Sequence, residues 1–291
     1  MLNYTFVSPL RAGECHLITG ERSAVLIDAG LPYCADETIA NIKKALGDKT
    51  LENIFLSHSH YDHISGLTHI RKAFPDAKVY AHPYTIHVLS RPGAVKKMEK
   101  LCLGSAELFG SGFSGLPPLL SEMGEILPLN DDETFPFDSG RLVIIYTPGH
   151  TKDAVSIDFP DEGILFPSET LGVKLQNGHI QPCFLTGMQD TIDSIEKIRA
   201  LGDRRFVFNH TAELFSKEEN EIYLDTALDD LKFTGELICR LYDEGKDFDT
   251  MFEEYSKIYW SESYRPFWPF EAYRLNTTAT INIILKELRG Q

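Results

Sequence analysis

Hydrophobic and β-branched residues alternate with polar ones along the first part of the chain, and this pattern predicts short strands. The strands are expected at residues 3–7, 14–20, 23–28, 54–57 and 78–81. Between them, Ile39, Ile42 and Leu46 recur at the spacing of one helical face, and residues 64–74 also fit a helix. This alternation of strands and helices predicts a layered α/β fold.

The second half of the chain repeats this pattern after an irregular stretch. Strands are expected at 142–146, 155–159, 164–166 and 206–208, with a helix at 189–201. Residues 84–130 combine a helical stretch with turns rich in glycine and proline, which predicts an insertion over one edge of the core, acting as a lid. We therefore expect a core domain over 1–213, which includes this insertion, and a helical C-terminal extension over 214–291.

The bulk composition is that of a globular protein. Of the 291 residues, 43% are apolar and 24% are charged, which is enough to bury a full core. No apolar run reaches the length of a membrane span, and the N-terminal residues lack the pattern of a secretory signal, so no membrane association is expected. The five cysteines are scattered and never occur in a CxxC spacing, which predicts reduced thiols and a cytoplasmic location.

The net charge of −15 constrains the partners. With 28 basic and 43 acidic residues, the surface repels phosphate backbones, so a nucleic-acid partner is not expected. A small-molecule substrate is expected instead. It can be anionic, because two buried divalent cations would add about four positive charges locally.

The residues with the strongest chemical signal are 58–63, with the sequence His-Ser-His-Tyr-Asp-His, directly after a predicted strand. Histidine and carboxylate are ligands for zinc, iron and manganese, and this run offers four of them within six residues. In a turn, alternate residues can face one metal while Asp62 and His63 face another. The alternative is a polar helix start with Asp62 as a favourable first-turn charge, but three histidines in six residues favour a metal site.

On these residues the chain resembles the metallo-β-lactamase superfamily, whose signature HxHxDH follows a strand. The resemblance covers about residues 10–212 and extends to further segments in the same order along the chain. These are Asp28-Ala29-Gly30, Thr147-Pro148-Gly149-His150-Thr151, residues 165–170, and His210 after the last core strand. The resemblance implies a four-layer αββα sandwich, here with a helical insertion and a helical C-terminal extension.

The resemblance also implies a metal-ligand set for two divalent transition-metal ions, zinc or iron, with manganese as a further option. It assigns His58, His60 and His150 to the first ion, and Asp62, His63 and His210 to the second. Glu169 holds the position of the bridging carboxylate, where the family usually has aspartate. Asp62 and Glu169 are also the expected catalytic residues.

Around His210 the chain departs from the family again, because Asn209 and Thr211 stand where glycines are usual.

The function implied is hydrolysis of an ester, thioester, lactone or phosphoester by a hydroxide held between the two metals. Two other functions are compatible with the same metal ligands. One is a di-iron redox or oxygen-activating enzyme, and the other is a binding or regulatory protein on the same fold.

Several residues outside the ligand set have two interpretations. Asp28 either orients the imidazoles of the ligands or closes the turn before Gly30. Tyr61 either touches substrate or packs against the next helix, and His82 is either a proton-transfer group or a capping histidine. The other histidines, His16, His69, His87 and His179, are expected to be structural or solvated.

The aromatic run at 260–270 contains both tryptophans of the chain. It is expected to pack the C-terminal helices onto the core or to form a homodimer interface. The alternative is an apolar wall of the substrate pocket, formed together with the insertion.

Overall fold

The computed structural model describes residues 2–9, 13–108, 123–138, 140–209, 216–265 and 268–290. Two features predicted above lie outside these ranges: the predicted ligand His210, and the part of the insertion rich in glycine and proline at 110–118. The prediction of a lid there is therefore untested.

Two β-sheets form the centre of the molecule. The strands of the first sheet lie side by side in chain order, β1 Asn3–Phe6, β2 His16–Thr19, β3 Ser23–Ile27, β4 Thr50–Leu56, β5 Lys78–Ala81 and β6 Leu127–Pro128. The first three are antiparallel neighbours, and from β3 to β6 the pairing is parallel. The carboxyl ends of β3 to β5 therefore lie at one edge of this sheet.

The second sheet is mostly antiparallel. Its strands are β7 Thr134–Phe137, β8 Gly140–Tyr146, β9 Val155–Phe159, β10 Ile164–Phe166 and β13 Arg205–Phe206, in the spatial order β13-β10-β9-β8-β7. A separate two-stranded ribbon pairs β11 Val173–Lys174 with β12 Ile180–Gln181.

Helices cover the outer faces of both sheets. In the part of the chain before the second sheet they are α1 Ala35–Leu46, α2 Tyr61–Ile64, α3 Leu67–Ala73, α4 Pro83–Leu89 and α5 Pro92–Leu108. After it come α6 Met188–Arg199, α7 Lys217–Asp243, α8 Phe248–Tyr259 and α9 Phe270–Arg289. Within the ranges described, no helix has both the length and the apolar character needed to cross a membrane.

The alternation of side chains along the strands builds the layers. In β3, Leu26 packs with Ile42 of α1, whereas its neighbour Val25 packs with Ile144 of β8 between the two sheets. The next residue of β8, Ile145, faces the other way and joins the cluster of the C-terminal helices. Because successive strand residues point to opposite faces, each sheet has one face on its partner sheet and one on helices. The predicted four-layer αββα sandwich is confirmed.

The expected helix over 64–74 is present as α3, but it begins later than predicted. It starts at Leu67, because Ile64 is the last residue of the short helix α2. Between them Gly66 lies against the turn after β3, where its N–H donates to the carbonyl of Gly30 at 2.8 Å. A Cβ at Gly66 would lie 2.2 Å from the carbonyl oxygen of Ala29, so this close approach requires glycine.

The sequence pattern also missed β7. This strand lies at the edge of the second sheet and contains Pro136. A proline is tolerated at an edge because its missing N–H leaves no ladder bond unmade. It also disturbs the pattern by which a strand is found in the sequence.

Candidate metal centre

The predicted ligands come together from three loops, each of which follows a strand. Residues 58–63 follow β4 and run into α2, His150 lies in the turn after β8, and Glu169 lies after β10. His58, His63 and His150 are fully buried. The site therefore forms where both sheets present strand ends.

The described ligand atoms form two groups that share one residue. His58, His60, His150 and Glu169 form the first, and Asp62, His63 and Glu169 form the second. Within each group the ligand atoms lie within 4.8 Å of one another. The structure thus brings together six of the seven predicted ligands. The seventh, His210, lies outside the described residues, and its role stays a prediction.

Glu169 lies between the two groups. Its Oε1 is 2.8 Å from Nε2 of His63, and its Oε2 is 3.3 Å from Nε2 of His150. The two oxygens of one carboxylate therefore contact one imidazole from each group. This is the arrangement expected of a carboxylate that bridges two cations.

The donor set fits metal ions. Nδ1 of His60 lies 3.0 Å from Nε2 of His150, and Nε2 of His58 is buried without a hydrogen-bond partner among the described residues. A buried polar atom is normally satisfied, and a cation between these imidazoles would satisfy it. Imidazole and carboxylate donors of this kind suit zinc, iron or manganese.

A second set of contacts orients the imidazoles. Nδ1 of His150 lies 2.6 Å from the carbonyl oxygen of Cys183, and Nδ1 of His63 lies 2.7 Å from Oδ2 of Asp28. Because the Nδ1 atom of each ring donates to an oxygen, Nε2 is the nitrogen turned toward the site, where it would bind a metal ion. Asp28 is itself fixed by Ser57, whose N–H and hydroxyl both donate to its carboxylate.

The contacts of Asp28 with His63 and Ser57 therefore agree with the interpretation that Asp28 orients a ligand. It also closes the turn before Gly30, with a φ of 63°. The roles of Ser57 and of the Cys183 carbonyl were missed. A serine before the motif gives only a weak signal, and a backbone carbonyl gives none.

Burial sets the charge of the first histidine group. It lowers the pKa of His58 well below its usual value and that of His60 to about 3, and the neighbouring imidazoles lower both further. Both rings are therefore neutral at pH 7, as metal ligands must be. Burial also acts to lower the pKa of His63, but the carboxylates of Asp28 and Asp62 outweigh it and raise that pKa.

Comparison with known proteins agrees with this geometry. The family model described as the metallo-beta-lactamase superfamily matches residues 9–210 of the chain. The chain belongs to this superfamily.

The superfamily relatives share the fold at low identity. A probable metallo-hydrolase of Bacillus subtilis, YflN, is 28% identical over 67% of this chain and 78% of its own length. A hydroxyacylglutathione hydrolase of Bartonella henselae is 26% identical over 55% of this chain, and the match spans only 48% of that protein. The crystal structure of the family protein TTHA1429 from Thermus thermophilus superposes with a TM-score of 0.62 at 18% identity, and it covers 95% of this chain and 88% of that one.

The prediction of a superfamily hydrolase is confirmed at that level, and the donor set together with the family indicates divalent metal ions.

The loop that carries His150 in this hydrolase depends on a glycine. Gly149 has a φ of 135°, a conformation that side chains other than glycine rarely adopt. A Cβ there would lie 2.0 Å from Oγ1 of Thr191 in α6. The backbone of this loop is therefore pressed against α6, which fixes the position of His150.

The remaining histidines lie outside the ligand groups. His82 caps α4 by accepting from the N–H of Tyr84, which confirms the capping interpretation. His16 is buried against Glu14 at 2.7 Å, and His179 contacts Asp230.

A pocket opens beside the two ligand groups. His60, Asp62 and Glu169 line it, and Tyr61 both lines it and packs against the core. From the C-terminal aromatic run, Tyr264 and Trp268 line the same pocket. The interpretation of that run as a pocket wall is therefore supported by the structure.

The aromatic run also packs the C-terminal helices. The ring of Trp260 lies 4.6 Å from that of Tyr273 in α9, between centroids, and both belong to the cluster on the second sheet. Packing within the chain is thus confirmed, whereas the homodimer and the division of the chain at residue 213 stay predictions.

Proposed function

We propose that this superfamily member hydrolyses a carboxylic ester, thioester or lactone at two divalent transition-metal ions, with phosphoesters as the less favoured class. Glu169 carries the proposal, because its two oxygens contact His63 of one ligand group and His150 of the other. One carboxylate shared in this way supports two ions close together. A pair of ions, when bound, lowers the pKa of a water and acts as a Lewis acid on the bond to be cleaved.

The residues of the chain would bind and orient the reacting groups. His58 and His60 supply neutral imidazoles, and Asp28 accepts from Nδ1 of His63, which turns Nε2 of that ring toward Glu169 and the site. The side chain of Asp62 is 14% exposed and lines the pocket, which supports a role for its carboxylate in holding a proton of the attacking water. Burial of His58, His63 and His150 keeps bulk water away from these three ligands.

The lining of the pocket favours an acyl substrate over a phosphoester. Among the described residues that line it there is no arginine, the side chain that best matches a phosphate group. Aliphatic and aromatic side chains form most of the wall. The relatives named hydroxyacylglutathione hydrolases agree with an acyl substrate, although the match covers about half of each of the first of them.

Metal loading combined with a substrate panel tests the proposal. The purified protein, reconstituted separately with Zn²⁺, Fe²⁺ and Mn²⁺, is expected to bind two ions per chain and to hydrolyse p-nitrophenyl esters or thioesters faster than p-nitrophenyl phosphates. Chelation should abolish turnover, and return of the metal should restore it. No bound metal after reconstitution with any ion, or a preference for phosphates, would overturn the proposal.

The redox alternative has a separate signature. A di-iron enzyme would show an iron-dependent absorption band and oxygen consumption, and its zinc form would be inactive. Turnover of esters by the zinc form, without oxygen uptake, is the expected result.

A further inference from the structure

The pocket beside the ligand groups has a volume of about 740 Å³, within the range of small-molecule sites. Its walls come from elements that lie outside the two sheets. One wall is the face of α5 in the insertion and another is the face of α9 in the C-terminal extension. We call this space, which Asp62 and Glu169 also line, the side pocket.

Both helices present a continuous face to the side pocket. In α5 the lining residues are Ala94, Lys97, Met98 and Leu101, at the i, i+3, i+4 and i+7 spacing of one helical face. In α9 they are Ala272, Leu275, Asn276 and Ala279, whose spacing is again that of one face.

The opposite face of α9 is used for packing. Tyr273, Thr277 and Ile281 are fully buried there, which fixes the helix against the second sheet. The pocket face is therefore free for another role. The small side chains of Ala272 and Ala279 leave space on that face for a ligand.

The exposure of Leu275 indicates that the ligand of this pocket is apolar. Leu275 is 50% exposed, although it is a large aliphatic side chain within a concave surface. Apolar surface that stays in contact with water in a pocket indicates a site for an apolar ligand, because its burial is favourable. On the third side, Val173, Leu175 and Leu185 add aliphatic lining.

The charged side chains that line the pocket restrict the charge of the ligand. Among the described residues, the carboxylates that line the pocket are Asp62 and Glu169. Both belong to the ligand groups. The other charged lining residues are Lys97 and Lys174, on a chain whose net charge is −15. A cationic ligand is disfavoured by this arrangement, whereas a neutral or anionic one is not.

We propose that the side pocket binds the hydrocarbon part of the substrate, an alkyl chain of medium length, while the scissile acyl group lies at Asp62 and Glu169. This inference rests on the proposed function. Leu275 and Ala279 are then specificity-determining residues, which select substrates by chain length. They hold no metal and transfer no proton.

Binding of uncleavable analogues tests the inference without turnover. A series of neutral N-methyl alkanamides with four, six, eight and ten carbons is titrated by calorimetry into the metal-loaded and the metal-free protein. Affinity is expected to rise about fourfold for each added methylene until the pocket is filled. The Leu275→Ala variant should bind the octanoyl amide about fivefold more weakly. The Ala279→Trp variant, which fills the pocket, should bind only the shortest amide.

The matched control is Leu288→Ala on the same helix. Leu288 is 44% exposed, close to the exposure of Leu275, but it does not line the pocket. Its replacement should leave the affinity for every amide unchanged. Affinity that does not depend on chain length, or an equal loss in the Leu275→Ala and Leu288→Ala variants, would overturn the inference.

The result separates the two proposals. If the protein binds the amides in order of chain length but hydrolyses no ester, the side pocket stands and the proposed reaction fails. If the protein hydrolyses esters at a rate that is independent of chain length and binds the amides equally, the reaction stands and the side pocket fails.

Discussion

Oδ2 of Asp28 lies 2.7 Å from Nδ1 of His63, although the two residues are 35 positions apart in the chain. The contact joins the turn after β3 to the ligand run after β4 and leaves Nε2 of His63 facing Glu169 at 2.8 Å. A carboxylate behind a ligating imidazole fixes its tautomer and strengthens it as a donor. The stability of the second ligand group therefore depends on a residue that ligates nothing itself.

Replacing Asp28 by asparagine should weaken binding at the second group by about 10- to 100-fold, because the amide is a poorer acceptor for Nδ1 of His63. Competition with a chromogenic chelator measures this loss. Asp132→Asn is the matched control, since Asp132 has a similar φ of 60° but lies outside both ligand groups. An unchanged metal affinity in the Asp28→Asn variant would show that the contact has no effect on the metal.

Replacing Glu169 by glutamine should weaken the second group more than the first. The first group keeps three imidazoles, whereas the second loses the carboxylate that neutralises its cation. We expect about one ion per chain and a fall in turnover of 100-fold or more. A fall of that size corresponds to the loss of about 3 kcal/mol of electrostatic stabilisation of the transition state. Metal analysis and steady-state kinetics give both numbers.

Glu169→Asp is the control for that variant, since it keeps the charge and shortens the side chain by one methylene. It should keep two ions and much of the rate. Full occupancy and full rate in the Glu169→Gln variant would mean that Glu169 does not bridge the two sites.

Replacing His60 or His150 by alanine should abolish metal binding at the first group and turnover together, while the fold is kept. Neither belongs to a hydrophobic cluster, so its loss removes a ligand and leaves the apolar core intact. Far-UV circular dichroism and metal analysis check the two statements. His179→Ala, which removes the contacts of this ring with Asp230 and Tyr259, should keep both the metal and the rate. Turnover at the parent rate in the His60→Ala variant would show that His60 is not part of the catalytic site.

Gly149→Ala should destabilise the protein by about 3 kcal/mol or more, because the new Cβ would lie 2.0 Å from Oγ1 of Thr191 in addition to the cost of the positive φ. Urea denaturation of the metal-free protein measures the free energy of unfolding. Gly178→Ala separates the two effects, since Gly178 has a φ of 90° but no atom within 4 Å of the added Cβ. Its cost should be about 1–2 kcal/mol. Equal costs at the two positions would contradict the steric argument.

The five cysteines should react slowly with thiol reagents in the native protein. None of the five is in a disulfide and all are buried, and burial raises the pKa of Cys102 to about 12. The thiolate is the reactive form, so a raised pKa leaves very little of it at pH 8. Five thiols should become reactive in guanidinium chloride. Rapid labelling of one thiol in the native protein would contradict the burial of that cysteine.

The sequence by itself determined the ligand types and the fold class. The run 58–63 places four donors within six residues, and a turn after a strand brings them together without help from distant parts of the chain. The same is true of the alternating strands, because the direction of a side chain is set by its position along the strand. These features depend on local geometry, which is determined by residues that are close together in the sequence.

Only the tertiary structure decided which distant groups meet at the site. Glu169 reaches His63 across 106 positions and His150 reaches His60 across 90, and no local pattern encodes either contact. The side pocket also depends on the tertiary structure. Leu275 of α9 becomes part of it only when Tyr273, on the opposite face of the helix, is buried against the second sheet. Such contacts form through the burial of apolar surface by the whole chain, which fixes the position of a helix in space, whereas the sequence of that helix fixes only the composition of its faces.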